Sequence, residues 1–337
     1  MLEPRNKVEA KTVGSAIQYF FTITIMFSLV LHCSREKDYQ AAWYVMGSRL
    51  SVEARGVDLK LDTVIAEVER LDAIFSNYRT DSEVARFNQA PRLQDIPLSE
   101  DFFFVLSAAQ SIAHKTGGAF DVTVEPLVKL YDFYKPWKGE NHSPPSSIEI
   151  QNARLNVGYK HLSLNWGERS AQKRKSIRLD FGAIAKGYAL DKALAQLRTQ
   201  KLSAAALDFG GQILVFQKEK LIQIENPRAE GNSSEYCATL SNGSISTSGD
   251  SQRYYTVNGQ RYGHIIDPRT GIPAREIVQA TLIQNTAMEA DAWSTALVVM
   301  TAKELKKLTT ANLHWIEVDV EGKLHQHASG TIRRCND

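Results

Sequence analysis

The sequence predicts an α+β protein, a single domain of mixed or antiparallel sheet with flanking helices. Three observations predict it. Stretches with strand-like alternation outnumber helical ones, the two kinds do not follow one another in the regular alternation of a doubly wound sheet, and turn pairs such as Asn258-Gly259 and Glu321-Gly322 join strands as hairpins. No repeat or low-complexity tract interrupts the 337 residues.

Composition bounds the partners before any motif is read. Lys and Arg number 40 against 38 Asp and Glu, a formal charge of +2 at pH 7. Basic runs are short, Lys173-Arg174-Lys175 being the plainest, so nucleic acid is not an expected partner. The one compositional break lies at the N-terminus. Arg5, Lys7 and Lys11 precede a mostly apolar run from Val13 to Leu31, which ends at Cys33 and the charged Arg35-Glu36-Lys37-Asp38. That is the pattern of a secretion signal or membrane anchor, and the run approaches the roughly 20 residues that span a bilayer. Residues 1–38 are therefore expected to tether the protein, through a retained helix or a lipid on Cys33, and to leave residues 39–337 on the outer side. Leu29-Val30-Leu31-His32-Cys33 loosely resembles a lipobox, with His32 where a small residue is usual. Cys237 and Cys335 are too few for a disulfide framework or a cysteine metal site; they stand as free thiols or as one bridge.

Along the chain, Ala41 to Glu53 alternates as one half-buried strand with Met46-Gly47-Ser48 in its middle. Leu59, Leu61, Val64, Ile65, Val68, Leu71 and Ile74 then fall largely at helical spacing, predicting an amphipathic helix from Val57 to Phe75 and a polar turn at Ser76-Asn77-Tyr78-Arg79. A second helix is expected from Ser99 to Lys115, capped by its Ser/Glu/Asp cluster and closed by Gly117-Gly118, directly before Ala119-Phe120-Asp121. Trp137 to Ser147 reads as a surface excursion. Short strands are expected at His161 to Leu164 and Ser176 to Asp180. The second runs into Asp180-Phe181-Gly182-Ala183-Ile184-Ala185-Lys186-Gly187 and a helix through Leu197. Sheet follows at Ser203 to Phe216, with Gly210-Gly211 inside it, and at Leu221 to Glu225, then the Asn258-Gly259 hairpin. A strand at Val278 to Gln284 precedes a helix carrying Asp291-Ala292-Trp293-Ser294-Thr295, a short helix spans Ala302 to Leu308, and a hairpin around Glu321-Gly322 ends the chain.

Four stretches carry chemistry, and each also has a structural reading. Asp291 and Thr295 lie four apart on a helix, which sets a carboxylate and a hydroxyl on one face, suited to a hard cation such as Mg²⁺. An Asp near a helix start equally serves as a cap. The glycine-flanked turn from Asp180 to Gly187 before a helix is a seat for a phosphate, with Lys186 to neutralise it. It is also an ordinary strand-to-helix turn, and it lacks the GxxxxGK[ST] pattern of a P-loop. His264 stands beside the rigid turn Asp267-Pro268-Arg269-Thr270-Gly271, as a general base or as a structural imidazole. Ser244 to Asp250 offers hydroxyls for a phosphate or merely a polar strand end, and Tyr78 a ring to stack on another.

The ordered set of Met46-Gly47-Ser48, Ser76 to Arg79, Gly118 to Asp121, Asp180 to Gly187, Ser246-Thr247-Ser248-Gly249, His264 to Gly271 and Asp291 to Thr295 resembles the ApbE-type FAD:protein FMN transferases, from about Ala41 nearly to the C-terminus. The resemblance implies an enzyme facing the periplasm from the inner membrane. It would bind FAD and Mg²⁺, with Mn²⁺ as an alternative, and move FMN onto a Thr or Ser of an acceptor protein, a membrane redox-complex subunit, releasing AMP. By position it implies FAD contacts at Met46, Tyr78, Ala119, Phe120, Asp121, Asp180, Lys186 and Ile266, and metal ligands at Ala183 (through its backbone oxygen), Asp291 and Thr295. Ser294 stands where some members have Asp and is left out of that set. His264 would take the hydroxyl proton while Lys186 and the metal stabilise the phosphoryl transition state. Two other readings keep the same residues: an FAD pyrophosphatase with water as acceptor, and a non-catalytic flavin-binding lipoprotein.

Overall fold

The computed structural model describes residues 35–135, 143–229, 236–251, 253–308, 313–327 and 331–335. The expected anchor from Val13 to Leu31, Cys33, and the tip of the Trp137 to Ser147 excursion lie outside them. Among the described residues no helix is long and apolar enough to cross a membrane.

A nine-stranded sheet forms the frame. It opens with a hairpin, β1 (Lys37–Val45) and β2 (Ser48–Val57), where a single strand was expected. Val45 pairs with Ser48, so Met46 and Gly47 form a two-residue turn with φ of 47° and 71°. Such a turn needs positive φ at both positions. Gly47 supplies that freely, while Met gives no turn signal and the alternation runs through it unbroken. Because β2 continues to Val57, helix α1 (Asp62–Phe75) starts five residues later than its apolar spacing suggested.

There follow α2 (Glu83–Gln89), β3 (Asp95–Pro97), α3 (Glu100–Lys115), α4 (Glu125–Leu130), α5 (Ser147–Arg154), β4 (Leu162–Asn165) and β5 (Ser170–Lys173). Of these, α3 matches its expected span, with the Ser99 side chain accepting from Phe102 N at 3.3 Å and acids in the first turn. The short helices α2, α4 and α5 left no periodic signal.

Residues 176–180, expected as a strand, lie outside any sheet, apart from a bridge between Val124 and Arg178. The Asn88 side chain does the pairing: Oδ1 accepts from Leu179 N at 2.6 Å and Nδ2 donates to Leu179 O at 3.0 Å. Ile177, Leu179 and Phe181 point alternately into the core, so the periodicity identified the faces and not the partner. The basic run at Lys173 is no surface patch, since Lys173 is 2% exposed and donates to the carbonyl of Phe87 at the end of α2.

The rest of the frame is α6 (Ala185–Arg198), β6 (Lys201–Phe209), β7 (Gln212–Ile224), β8 (Tyr236–Gly249), β9 (Tyr254–Val257), β10 (Gln260–Gly263), β11 (Ile266–Asp267), β12 (Ile272–Pro273), β13 (Ile277–Gln284), α7 (Ala287–Val299), α8 (Ala302–Leu308), β14 (His314–Asp319), β15 (Leu324–His327) and β16 (Ile332–Arg334). The sheet expected from Ser203 to Phe216 is a hairpin turning at Gly210-Gly211, and its second arm runs on to Ile224 through most of the expected Leu221 to Glu225 strand. Neighbours in the sheet run β1-β2-β6-β7-β8-β13-β14-β15, all antiparallel, with β16 against the first part of β8. This is the α+β arrangement of mixed helix and antiparallel sheet expected from the sequence.

Helices α1, α6 and α7 cover one face and form the main core with β2, β6 and β13. Helix α7 is buried nearly all round and rich in alanine, which lets α6 approach it closely. Gly187 marks the closest point: a Cβ there would lie 2.3 Å from the Ala287 carbonyl oxygen. One turn on, Asp191 accepts from Ala287 N at 2.8 Å and Met288 N at 2.9 Å, capping α7 from the neighbouring helix. Cys237 and Cys335 form a disulfide tying the end of β16 to β8, across 98 residues of sequence.

Two outcomes follow from this packing. Gly187→Ala forces α6 off α7 and is expected to cost about 1–3 kcal/mol, read as a lowered melting temperature; an unchanged melt would mean the helices have slack that the contact denies. Cys335→Ser, or dithiothreitol on the wild type, is expected to remove on the order of 2–4 kcal/mol, and identical denaturant midpoints with and without reductant would refute it.

Candidate functional site

The site residues that the resemblance implies all line one cleft of about 980 Å³: Met46, Tyr78, Ala119, Phe120, Asp121, Asp180, Ala183, Lys186, His264, Ile266, Asp291 and Thr295. The sheet supplies one wall. The Met46-Gly47 and Gly210-Gly211 turns and the Ser246 to Gly249 end of β8 all reach it, while α6 and α7 close the floor. The motifs are scattered in sequence because the antiparallel order brings successive turns to the same end.

At the floor, α6 opens with Ala185 and Lys186. In an uninterrupted helix the amide of Gly187 would bond back to the carbonyl of Ala183. Here it donates to Asp291 Oδ2 at 3.2 Å, which leaves the Ala183 oxygen without a backbone donor among the described residues. Asp291 is 5% exposed; burial raises its pKa, and the Lys186 charge and the Gly187 amide work against that rise. Thr295 Oγ1 sits 3.2 Å from the Asp291 carbonyl and 3.1 Å from Ser248 Oγ. Ser294 is fully buried, bonded to Ser248, Ser246 and the Asp291 carbonyl.

This donor set fits a hard cation. No three His, Cys, Asp or Glu side chains converge among the described residues. A cation here would be held by one carboxylate, one hydroxyl and one free carbonyl, which leaves positions for water and substrate oxygens, the habit of Mg²⁺.

Lys186 Nζ donates to Gly182 O at 3.1 Å and has no carboxylate partner among the described residues. Asp180 accepts from Gly182 N at 2.7 Å and from Tyr134 Oη at 2.6 Å. Asp121 lines the wall with both oxygens engaged, by Thr123 N and Thr123 Oγ1 within its own loop and by Tyr159 N from a segment remote along the chain. Burial raises its pKa against those bonds.

His264 follows the β9–β10 hairpin, whose Asn258-Gly259 turn sets the register and brings it opposite Arg253. His264 N donates to Arg253 O at 3.1 Å, and Nδ1 lies 3.3 Å from the same oxygen. A carbonyl can only accept, so that contact holds the proton on Nδ1 and leaves Nε2 bare and able to take one. Burial, then the charges of Arg253 and Lys186, push its pKa down to about 4. The Asp267-Pro268 turn is not what holds it. Asp267 is engaged by Arg269, whose guanidinium also reaches Glu304 on α8 at 2.5 Å.

Two cleft residues escaped the sequence reading. Tyr134 steadies Asp180 and stands edge-on to Tyr78, ring centres 5.6 Å apart. Arg253 donates to Tyr78 Oη at 3.1 Å. The aromatic cluster Tyr131-Asp132-Phe133-Tyr134 before Pro136 was a usable signal for the first; nothing local marks the second.

A profile of the ApbE family matches residues 46–318. A protein from Buchnera aphidicola named FAD:protein FMN transferase is 29% identical over 300 residues, covering 86% of this chain and 88% of its own. The crystal structure of the ApbE protein of Thermotoga maritima superposes with a TM-score of 0.77 at 30% identity, over 86% of this chain and 97% of that one. The flavinyl transferase ApbE of Pseudomonas stutzeri in its apo form gives 0.76 at 28% identity, over 86% and 95%. Matched along most of its length in both sequence and fold, the chain belongs to the ApbE family.

Proposed function

We propose that this chain is an FAD:protein FMN transferase, binding FAD in the cleft and passing FMN to a Thr or Ser hydroxyl of an acceptor protein. The observation that carries this reading is the convergence, in one cleft, of a histidine with a bare Nε2, an unpaired lysine and a buried carboxylate beside a free backbone carbonyl. Those are the groups needed to accept a proton, meet a phosphate and hold a hard cation.

The residues divide the work. The acceptor oxygen attacks the FMN phosphorus, a new P–O bond forms, and the anhydride P–O bond to AMP breaks, so that AMP leaves with the bridging oxygen. His264 Nε2 takes the hydroxyl proton. Lys186 neutralises phosphate oxygens, Tyr78 and Ile266 meet the flavin ring, and the Met46 turn with Ala119 and Phe120 shapes its slot. Ala183 O, Asp291 and Thr295 would hold Mg²⁺, which when bound draws charge from the phosphate oxygens. The acceptor fits a subunit of a membrane redox complex, since the N-terminal pattern tethers this chain to the membrane with its catalytic domain on the periplasmic side. The Cys237–Cys335 disulfide supports an oxidising compartment.

With FAD, Mg²⁺ and an acceptor carrying a single reactive Thr, the wild type is expected to give a covalently fluorescent acceptor band. His264→Ala is expected to lower its formation at least a hundredfold while FAD affinity holds; release of free FMN with no labelled band would favour hydrolysis instead. Asp291→Ala should weaken metal and FAD together by about tenfold or more. FAD affinity indifferent to both that change and a chelator would remove the metal from the site.

A further inference from the structure

We propose that Arg253 is a positioning residue that couples substrate to base: its guanidinium receives the FAD phosphate nearest the flavin, while its carbonyl holds His264. The inference rests on the reading of His264 as the base. Arg253 lies in the cleft wall between two groups with opposite tasks, Tyr78 at the rim and His264 within. Its NH1 donates to Tyr78 Oη at 3.1 Å, and its carbonyl oxygen accepts from His264 N at 3.1 Å and faces Nδ1 at 3.3 Å. A flavin on Tyr78 whose phosphorus faces His264 must pass its first phosphate across Arg253.

The charge is there to receive it. Asp250, the carboxylate nearest in sequence, is already held by Arg228 at 2.6 Å and Arg261 at 3.4 Å. Arg79, which also lines the cleft, is paired with Asp81, and Arg269, next to the cleft residue Pro268, with Asp267 and Glu304. Among the described residues Arg253 has no carboxylate within ion-pair distance and only a neutral phenol as side-chain partner. It therefore stands with Lys186 as a second uncompensated cation facing the same space.

The consequence reaches His264. In the free protein Arg253 and Lys186 both disfavour the protonated ring, with Asp250 opposing them weakly. A phosphate seated on Arg253 neutralises the cation that acts most strongly on the ring, so the imidazole becomes a stronger base when substrate is in place. A base works when unprotonated, so activity falls as pH drops through its pKa. The profile of kcat/KM reports the free protein and that of kcat the loaded one, which puts the acid limb of kcat above that of kcat/KM.

The test compares Arg253→Ala, Arg253→Lys and Tyr78→Phe, each with an unchanged melting curve, for binding of FAD and of riboflavin and for the two pH profiles. Arg253→Ala is expected to weaken FAD about tenfold, the loss of one charge-assisted hydrogen bond, and to leave riboflavin unaffected. It should also move the acid limb of kcat/KM upward, away from about 4. Arg253→Lys should recover most of the FAD affinity, and Tyr78→Phe should change FAD and riboflavin alike. Equal losses of FAD and riboflavin in Arg253→Ala, or unchanged FAD affinity with an unmoved acid limb, would overturn the proposal. The binding measurements do not involve His264, so they stand even if His264→Ala keeps full transferase activity and the base assignment itself fails.

Discussion

The site depends on the absence of one methyl group. Gly187 lets α6 touch the first turn of α7, with no room for a Cβ against the Ala287 carbonyl. Because the helices meet there, the Gly187 amide reaches Asp291 on the neighbouring helix and abandons the Ala183 carbonyl behind it. That exchange readies two oxygens at once, a carboxylate fixed by a backbone donor and a carbonyl with no donor. Asp191, one turn further along the same face of α6, secures the contact by capping α7. The stability of the helix pair and the chemistry of the cleft floor thus share a cause, and neither can be altered alone.

The opposite wall is built by turns. Antiparallel order returns the chain to one end of the sheet each time, and there the Met46-Gly47 and Gly210-Gly211 turns line the cleft. Met46 holds a positive φ, a conformation uncommon for a side-chain-bearing residue and concentrated at functional sites. The Asn258-Gly259 turn acts at a distance: it sets the β9–β10 register and so determines which carbonyl His264 meets.

Much of this was legible. The Asn-Gly hairpin, the Ser99 cap and the long helices are legible because each rests on local chemistry, such as a turn needing positive φ or a helix needing a cap. What the sequence does not show is which partner each group meets. The Ser176 to Asp180 segment has the alternation of a strand, yet its partner is the Asn88 side chain. That Thr123 and Tyr159 engage the Asp121 carboxylate is visible only in the fold. Asp267 stands close to His264 along the chain, but Arg269 claims it. In each case the residue type was informative and its orientation was not, since orientation is decided by which segments the sheet brings together.

The electrostatics of the cleft describe what it lacks. Two cations, Lys186 and Arg253, face inward without carboxylate partners among the described residues, while most other basic groups near the cleft are paired. Their charges disfavour the protonated ring of His264, adding to the larger effect of its burial. Burying Asp291 beneath them is unfavourable too, and Lys186 relieves it only in part. A ligand carrying two phosphate charges and a divalent cation removes both mismatches together, because the phosphates meet the lysine and arginine while the cation meets the carboxylate. A neutral ligand would leave both in place. On the proposed function the cleft is complementary to a metal-bound pyrophosphate before it is complementary to any ring, and Tyr78 is tied to that centre through Arg253.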